Sequence, residues 1–170
     1  KRERINKLDL EPTESFRFYS DLIGHLLEVA TRTGNQMPSS KLSRLANAKQ
    51  SLLYLKERNG QERALLAGAF SAGRLTTVQF NTFLTLLGDQ ANYERLTISY
   101  ATPDQEKLLK EKMGDPIVKE IQDIEQMVKD KGANVDLGYP AESWFGKITA
   151  KIELLRTVEE SFSKNIFSEI

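Results

Sequence analysis

Lys49, Lys56, Asn59 and Arg63 have the most capacity for chemistry in this sequence, because of where a helical period places them. At about 100° per residue they fall on the same face as Leu42, Leu45, Leu52, Leu66 and Phe70, and such an apolar face packs inward. A guanidinium left in an apolar interior without a partner costs several kcal/mol. Three things can answer its charge: a carboxylate from a neighbouring helix, such as Glu94 or Glu159, water, or an anionic ligand. Arginine suits the last, since its planar fork donates two parallel hydrogen bonds to a planar oxyanion. Lys49 and Lys56 can instead carry their ammonium groups to the surface on long stems. Gly60 sits at the edge of this face, mid-helix, where it costs about 1 kcal/mol relative to alanine. That predicts a close approach by a neighbouring helix or a ligand.

The residues for other chemistries are missing. The chain has no cysteine and one histidine, His25, so thiolate catalysis, disulfides and Cys/His metal sites are ruled out or unsupported. His25 lies beside Leu26 and Leu27 with no identifiable nucleophile or carboxylate partner, and reads as a packing or surface residue. Asp123, Glu125 and Asp130 read as a solvated helix face, and Asp104, Glu106, Glu111 and Asp115 as an exposed connection. Neither set has the spacing or central glycine of a calcium loop. No glycine-rich phosphate loop and no Gly-x-Ser-x-Gly elbow occurs. The expectation is a protein that is not an enzyme, with no metal and no cofactor. Lys+Arg and Asp+Glu both number 24, so no surplus of positive charge exists to displace counterions from nucleic acid.

Helices must position these groups. Hydrophobic residues make up 39% of the chain and charged ones 28%, which suits a globular domain with a real core. Breaks at Gly34-Asn35 with Pro38, Ser71-Ala72-Gly73, Thr102-Pro103, Gly114-Asp115-Pro116 and Gly132 through Pro140 delimit helical blocks, and no stretch alternates long enough for a strand. The predicted helices run from about Pro12 to Thr33, Ser40 to Phe70, Thr77 to Ala101, Pro103 to Met113 (short), Pro116 to Lys131, and Pro140 to Ile170. In the first, Phe16, Tyr19, Ile23, Leu26 and Ala30 form the expected inner seam. In the third it is Phe80, Phe83, Leu84, Leu87, Ala91 and Ile98. The fourth long helix offers Ile117, Ile121, Ile124 and Val128, and the last Phe145, Ile148, Ile152, Leu155, Phe162 and Ile166. Trp144 reads as a core or end-plug residue. Long helices and short turns predict an all-α, up-and-down antiparallel bundle of four to five long helices, one domain over residues 1–170. The chain starts at Lys1 and reads as a piece of a longer protein; no segment reaches the roughly 18 apolar residues of a membrane span.

The run Leu55-Lys56-Glu57-Arg58-Asn59-Gly60-Gln61-Glu62-Arg63-Ala64, followed by Phe70 and Gly73, resembles the signature of the nitrate- and nitrite-sensing (NIT) domain. Gln90 stands where that family tends to carry a glutamine in the next helix. Trp144-Phe145, then Thr149-Ala150-Lys151-Ile152-Glu153-Leu154-Leu155-Arg156-Thr157-Val158-Glu159, is similar to its closing pattern. The resemblance covers Leu42 to Glu159. It implies an all-helical sensor module of bacterial receptors in which arginine binds nitrate or nitrite. By position Arg63 is the ligand residue, with Lys56 and Gln61 beside it; Arg44 and Arg156 are candidates for a second arginine. It further implies a membrane-anchored parent, a periplasmic location (with a cytoplasmic one as the alternative) and a homodimer. A competing reading is a helical interaction or signal-relay module that takes no small ligand.

Overall fold

The computed structural model describes residues 11–34 and 39–169. Six helices account for them, and no strand occurs among the described residues: α1 (Pro12–Gly34), α2 (Ser40–Ala72), α3 (Thr77–Tyr100), α4 (Pro103–Met113), α5 (Pro116–Lys131) and α6 (Ala141–Phe167). The boundaries lie where local chemistry sets them. Ser39 caps α2 by accepting from the Leu42 N–H, and Gly73 ends it in the left-handed region at φ 80°. Thr76 with Gln79 and Thr102 with Gln105 form reciprocal capping boxes at α3 and α4. Asp115 caps α5 ahead of Pro116.

α2, α3 and α6 are the long members of the bundle, with α2 packed along both others. The fourth position is shared. α5 covers the half where Leu66, Ala69 and Phe70 of α2 meet Phe83 of α3 and Trp144 and Ile148 of α6, and supplies Ile121, Ile124 and Val128. α4 covers the other half, setting Leu109 among Ala48, Leu52 and Leu55 of α2 and Leu155, Val158 and Phe162 of α6. The result is an up-down-up-down bundle with two apolar half-cores, and α1 packs outside it against α2. At one end the two connecting loops are stitched together: Asn134 N–H donates to the Leu75 carbonyl at 2.7 Å and Leu137 N–H to the Gly73 carbonyl at 2.8 Å.

Two expected seams are corrected. On α1, Phe16, Tyr19 and Leu26 are exposed and Leu27 is the buried residue; the Ala30 side chain lies outside the described residues. On α3 the inner line is Phe83, Leu86, Gln90 and Thr97, while Leu84 and Ala91 face outward. Phe145 of α6, expected inside, is 48% exposed. Ile170 lies outside the described residues. Glu125, read as part of a solvated face, is buried between α5 and its neighbours, whereas Asp123 and Asp130 are exposed as expected.

Candidate anion site

Arg63 sits on the flank of α2 that meets α6. Its backbone is tied to α6 by Trp144, whose Nε1 donates to the Arg63 carbonyl at 3.1 Å. Its guanidinium is held from the same helix: Nη1 donates to Thr149 Oγ1 at 3.0 Å, and its carbon lies 4.8 Å from the Phe145 ring centroid. A ring face at that distance attracts a cation and restrains its orientation. The side chain is half-buried. Among the described residues, no carboxylate lies within ion-pair distance of it, and Nε and Nη2 donate to no protein atom. The carboxylate offered by the sequence, Glu159, pairs with Lys56 instead, both partners being largely buried. Glu94 makes no bond to Arg63 either.

Of the three residues expected at the site, the structure brings two to one flank. Lys56 lies two turns from Arg63, about 10 Å along the axis, and both face α6. Lys49 shares that flank without an ion pair among the described residues, but it is about 21 Å from Arg63. Gln61 faces elsewhere, about 160° around the helix. It accepts from Arg58 Nη1 at 3.0 Å, donates to Glu57 Oε1 at 2.9 Å, and lines a cavity of about 400 Å³ between α1, α2 and α3. Arg44 donates to the carbonyls of Tyr100 and Ala101 at the end of α3, and Arg156 pairs with Glu153 and Glu160 on the surface of α6. Neither joins Arg63.

Gly60 lies between Lys56 and Arg63 on the same side. A Cβ there would meet no atom of the described residues within 4 Å, so no described helix approaches the glycine, contrary to one of the two approaches expected. Bare backbone therefore lies along the axis between the two cations. Gly60→Ala is therefore expected to raise the unfolding free energy of the free domain by about 1 kcal/mol, measured by urea denaturation.

Sequence reasoning missed a second polar group of residues. Glu62, Gln90, Glu125 and Lys151 are buried where the two apolar half-cores meet. Gln90 Nε2 donates to Glu62 Oε2 at 2.7 Å, and Lys151 Nζ donates to Gln90 Oε1 at 3.3 Å. Lys151 Nζ also stands 3.9 Å from Glu125 Oε1. Burial pushes Glu62 up to about 8, and the neighbouring Glu125 charge adds to this against Lys151 and the Gln90 bond. Burial raises Glu125 as well, opposed by Lys151 and Lys129. The signal was present in the spacing. Leu55-Asn59-Glu62-Leu66 and Ile148-Lys151-Leu155 each step through the inner seam with polar residues in apolar company.

Fold and site together define the class: a helical-bundle domain with cationic side chains along one flank and a buried ionic layer at its centre. The model of the family described as nitrate and nitrite sensing matches residues 1–166. The nitrate regulatory protein of Klebsiella oxytoca is 26% identical over 160 residues, covering 94% of this chain and 40% of that protein. No solved structure matches the chain. The chain belongs to the nitrate- and nitrite-sensing (NIT) family, and membership makes it a sensing module.

Proposed function

We propose that the domain binds nitrate or nitrite at Arg63 and transmits occupancy as a shift between α2 and α6. One observation carries the reading: a half-buried guanidinium, braced by Thr149 and Phe145, to which the described residues offer no carboxylate. Its unused Nε and Nη2 form the edge that binds a planar oxyanion through two parallel bonds. The backbone at Gly60, one turn before Arg63, is open, with no described atom within 4 Å of a Cβ position there. Lys56 would contribute once drawn from Glu159, while Gln61, on the far flank, acts on the α1–α3 side and not on the same anion. An anion that bridges α2 and α6 favours whichever packing brings its donors together, and it shifts the balance only by its differential affinity for the two arrangements.

The rest of the reading concerns the parent protein. The chain spans 40% of the length of the Klebsiella relative, which supports a single sensor domain working on an output module elsewhere in the polypeptide. We place it on the periplasmic side of a membrane-anchored receptor, as the family resemblance implies. None of the described helices is long and apolar enough to cross a membrane, so the anchor would lie outside them. Exposed Phe16, Tyr19, Leu22 and Leu26 along α1 give a second copy an apolar surface, which supports a homodimer.

Calorimetric titration of the purified domain tests the anion reading, with nitrate and nitrite as ligands and chloride and sulfate as controls. Heat and a rise in melting temperature are expected with the two nitrogen oxyanions; at a ligand concentration 100 times Kd the stabilisation is about 2.7 kcal/mol. Absence of both effects at millimolar concentrations would leave the relay module that takes no ligand as the better account.

A further inference from the structure

Each of the four positions of the bundle sends one residue into a ring: Glu62 from α2, Gln90 from α3, Glu125 from α5 and Lys151 from α6. Three sides of a ring are visible in hydrogen-bond or ionic contacts, from Glu62 to Gln90, from Gln90 to Lys151, and from Lys151 to Glu125. The fourth side is carboxyl against carboxyl. Oε1 of Glu62 and Oε1 of Glu125 are both buried and accept from no N–H or O–H donor among the described residues, and the two carboxyl groups lie close enough for the Glu125 charge to raise Glu62. Two carboxylates that close repel when both are charged. A single proton between them removes the repulsion and satisfies both oxygens at once. It also balances charge, since one carboxyl, one carboxylate and the Lys151 ammonium sum to zero. Asn59 bounds the layer one turn before Glu62 and donates to the Leu55 carbonyl, and the Lys129 charge one turn along α5 acts to lower Glu125.

We propose that this ring is a proton-binding site which locks the bundle: one proton shared by Glu62 and Glu125 closes the ring across α2, α3, α5 and α6, and its loss releases α5 from α2. The proposal does not rest on the anion reading. It bears on the same contact, because Glu62 adjoins Arg63 in α2 and Lys151 lies two residues beyond Thr149 in α6. Proton occupancy and anion occupancy would then bias one helix pair.

The linkage has a definite sign. The folded chain holds this proton up to about pH 8, whereas an unfolded glutamate releases it near 4.5. Stability from the shared proton is full below the unfolded value and is lost as pH rises through the folded one. Between them the unfolding constant rises by up to about tenfold per pH unit from this site. The experiment is urea unfolding from about pH 6 to about pH 8 in chloride buffer without nitrate or nitrite, comparing wild type with Glu62→Gln. The amide substitute carries a permanent donor towards Glu125, so it should fold and abolish this part of the pH dependence. The wild-type unfolding constant should rise by up to about a hundredfold more than the variant's across that interval. Parallel curves overturn the proposal. Should the variant not fold, carbon-detected NMR titration of the wild-type glutamate carboxyls decides the matter alone. One carboxyl still protonated at neutral pH supports the ring, and none overturns it.

Discussion

Arg63→Ala is expected to abolish measurable nitrate and nitrite binding while the domain still folds. The substitution removes both donors of the unused guanidinium edge, and hydrogen bonds to charged groups are worth about 1.5–3 kcal/mol each. Loss of two corresponds to an affinity drop of about a hundredfold or more, which takes a weak site below detection. The structural cost is smaller, because what Arg63 gives the protein is one bond to Thr149 and a stacking contact with a ring that is 48% exposed. A cation over an exposed ring contributes about 0.5–1 kcal/mol. Helical circular dichroism and the urea midpoint should therefore stay close to wild type while the calorimetric signal vanishes. Arg63→Lys separates charge from geometry. The ammonium retains the charge but cannot present a planar fork, so it should fall between the two. Undiminished nitrate heat from the alanine variant would move the site away from Arg63.

The bundle was legible because its stops are local. A threonine with glutamine three residues later, an aspartate before proline, and a glycine at a left-handed cap each act within one turn, and the observed boundaries follow them. The inner face of α3 was harder to read. Hydropathy favours Leu84 and Ala91 beside Phe83 and Leu87, yet the helix is turned so that Gln90 and Thr97 point inward and Leu84 and Ala91 outward. Gln90 is there for the Glu62 carboxylate, and Thr97 is satisfied within its own helix by the Tyr93 carbonyl. Neither partner is visible from a seam drawn on apolar residues alone. Glu125 was misjudged for the same reason: an acidic residue reads as solvated unless the glutamate and lysine of two other helices are known to meet it.

The candidate site divides in the same way. Residue type and period placed Lys56 and Arg63 on one flank, and the structure keeps them there. They could not decide which of the two takes Glu159, since that depends on the axial register of α6 against α2. The register gives Glu159 to Lys56 and sets Thr149 and Phe145 opposite Arg63. The anion reading depends on that register more than on any single residue.

Trp144 ties α6 to α2 at this register through its bond to the Arg63 carbonyl, and Trp144→Ala should be the most destabilising single change considered, at about 3–5 kcal/mol. The indole is fully buried, meets Phe70 edge-on with centroids 5.9 Å apart, and belongs to the half-core formed with Leu66, Ile121 and Ile148. Truncation leaves a cavity lined by residues of rigid helices that cannot collapse to fill it. In a domain of ordinary stability this is a third or more of the total. The urea midpoint followed by circular dichroism measures the loss; fluorescence does not serve, because Trp144 is the only tryptophan. Trp144→Phe isolates the second role. It retains much of the apolar volume but cannot donate to the Arg63 carbonyl, so part of the stability should return while the α2–α6 register remains loosened. Nitrate affinity in that variant should then fall by more than its stability accounts for. If Trp144→Phe binds nitrate as tightly as wild type, the indole bond has no part in presenting Arg63, and Thr149 and Phe145 alone must hold the guanidinium in place.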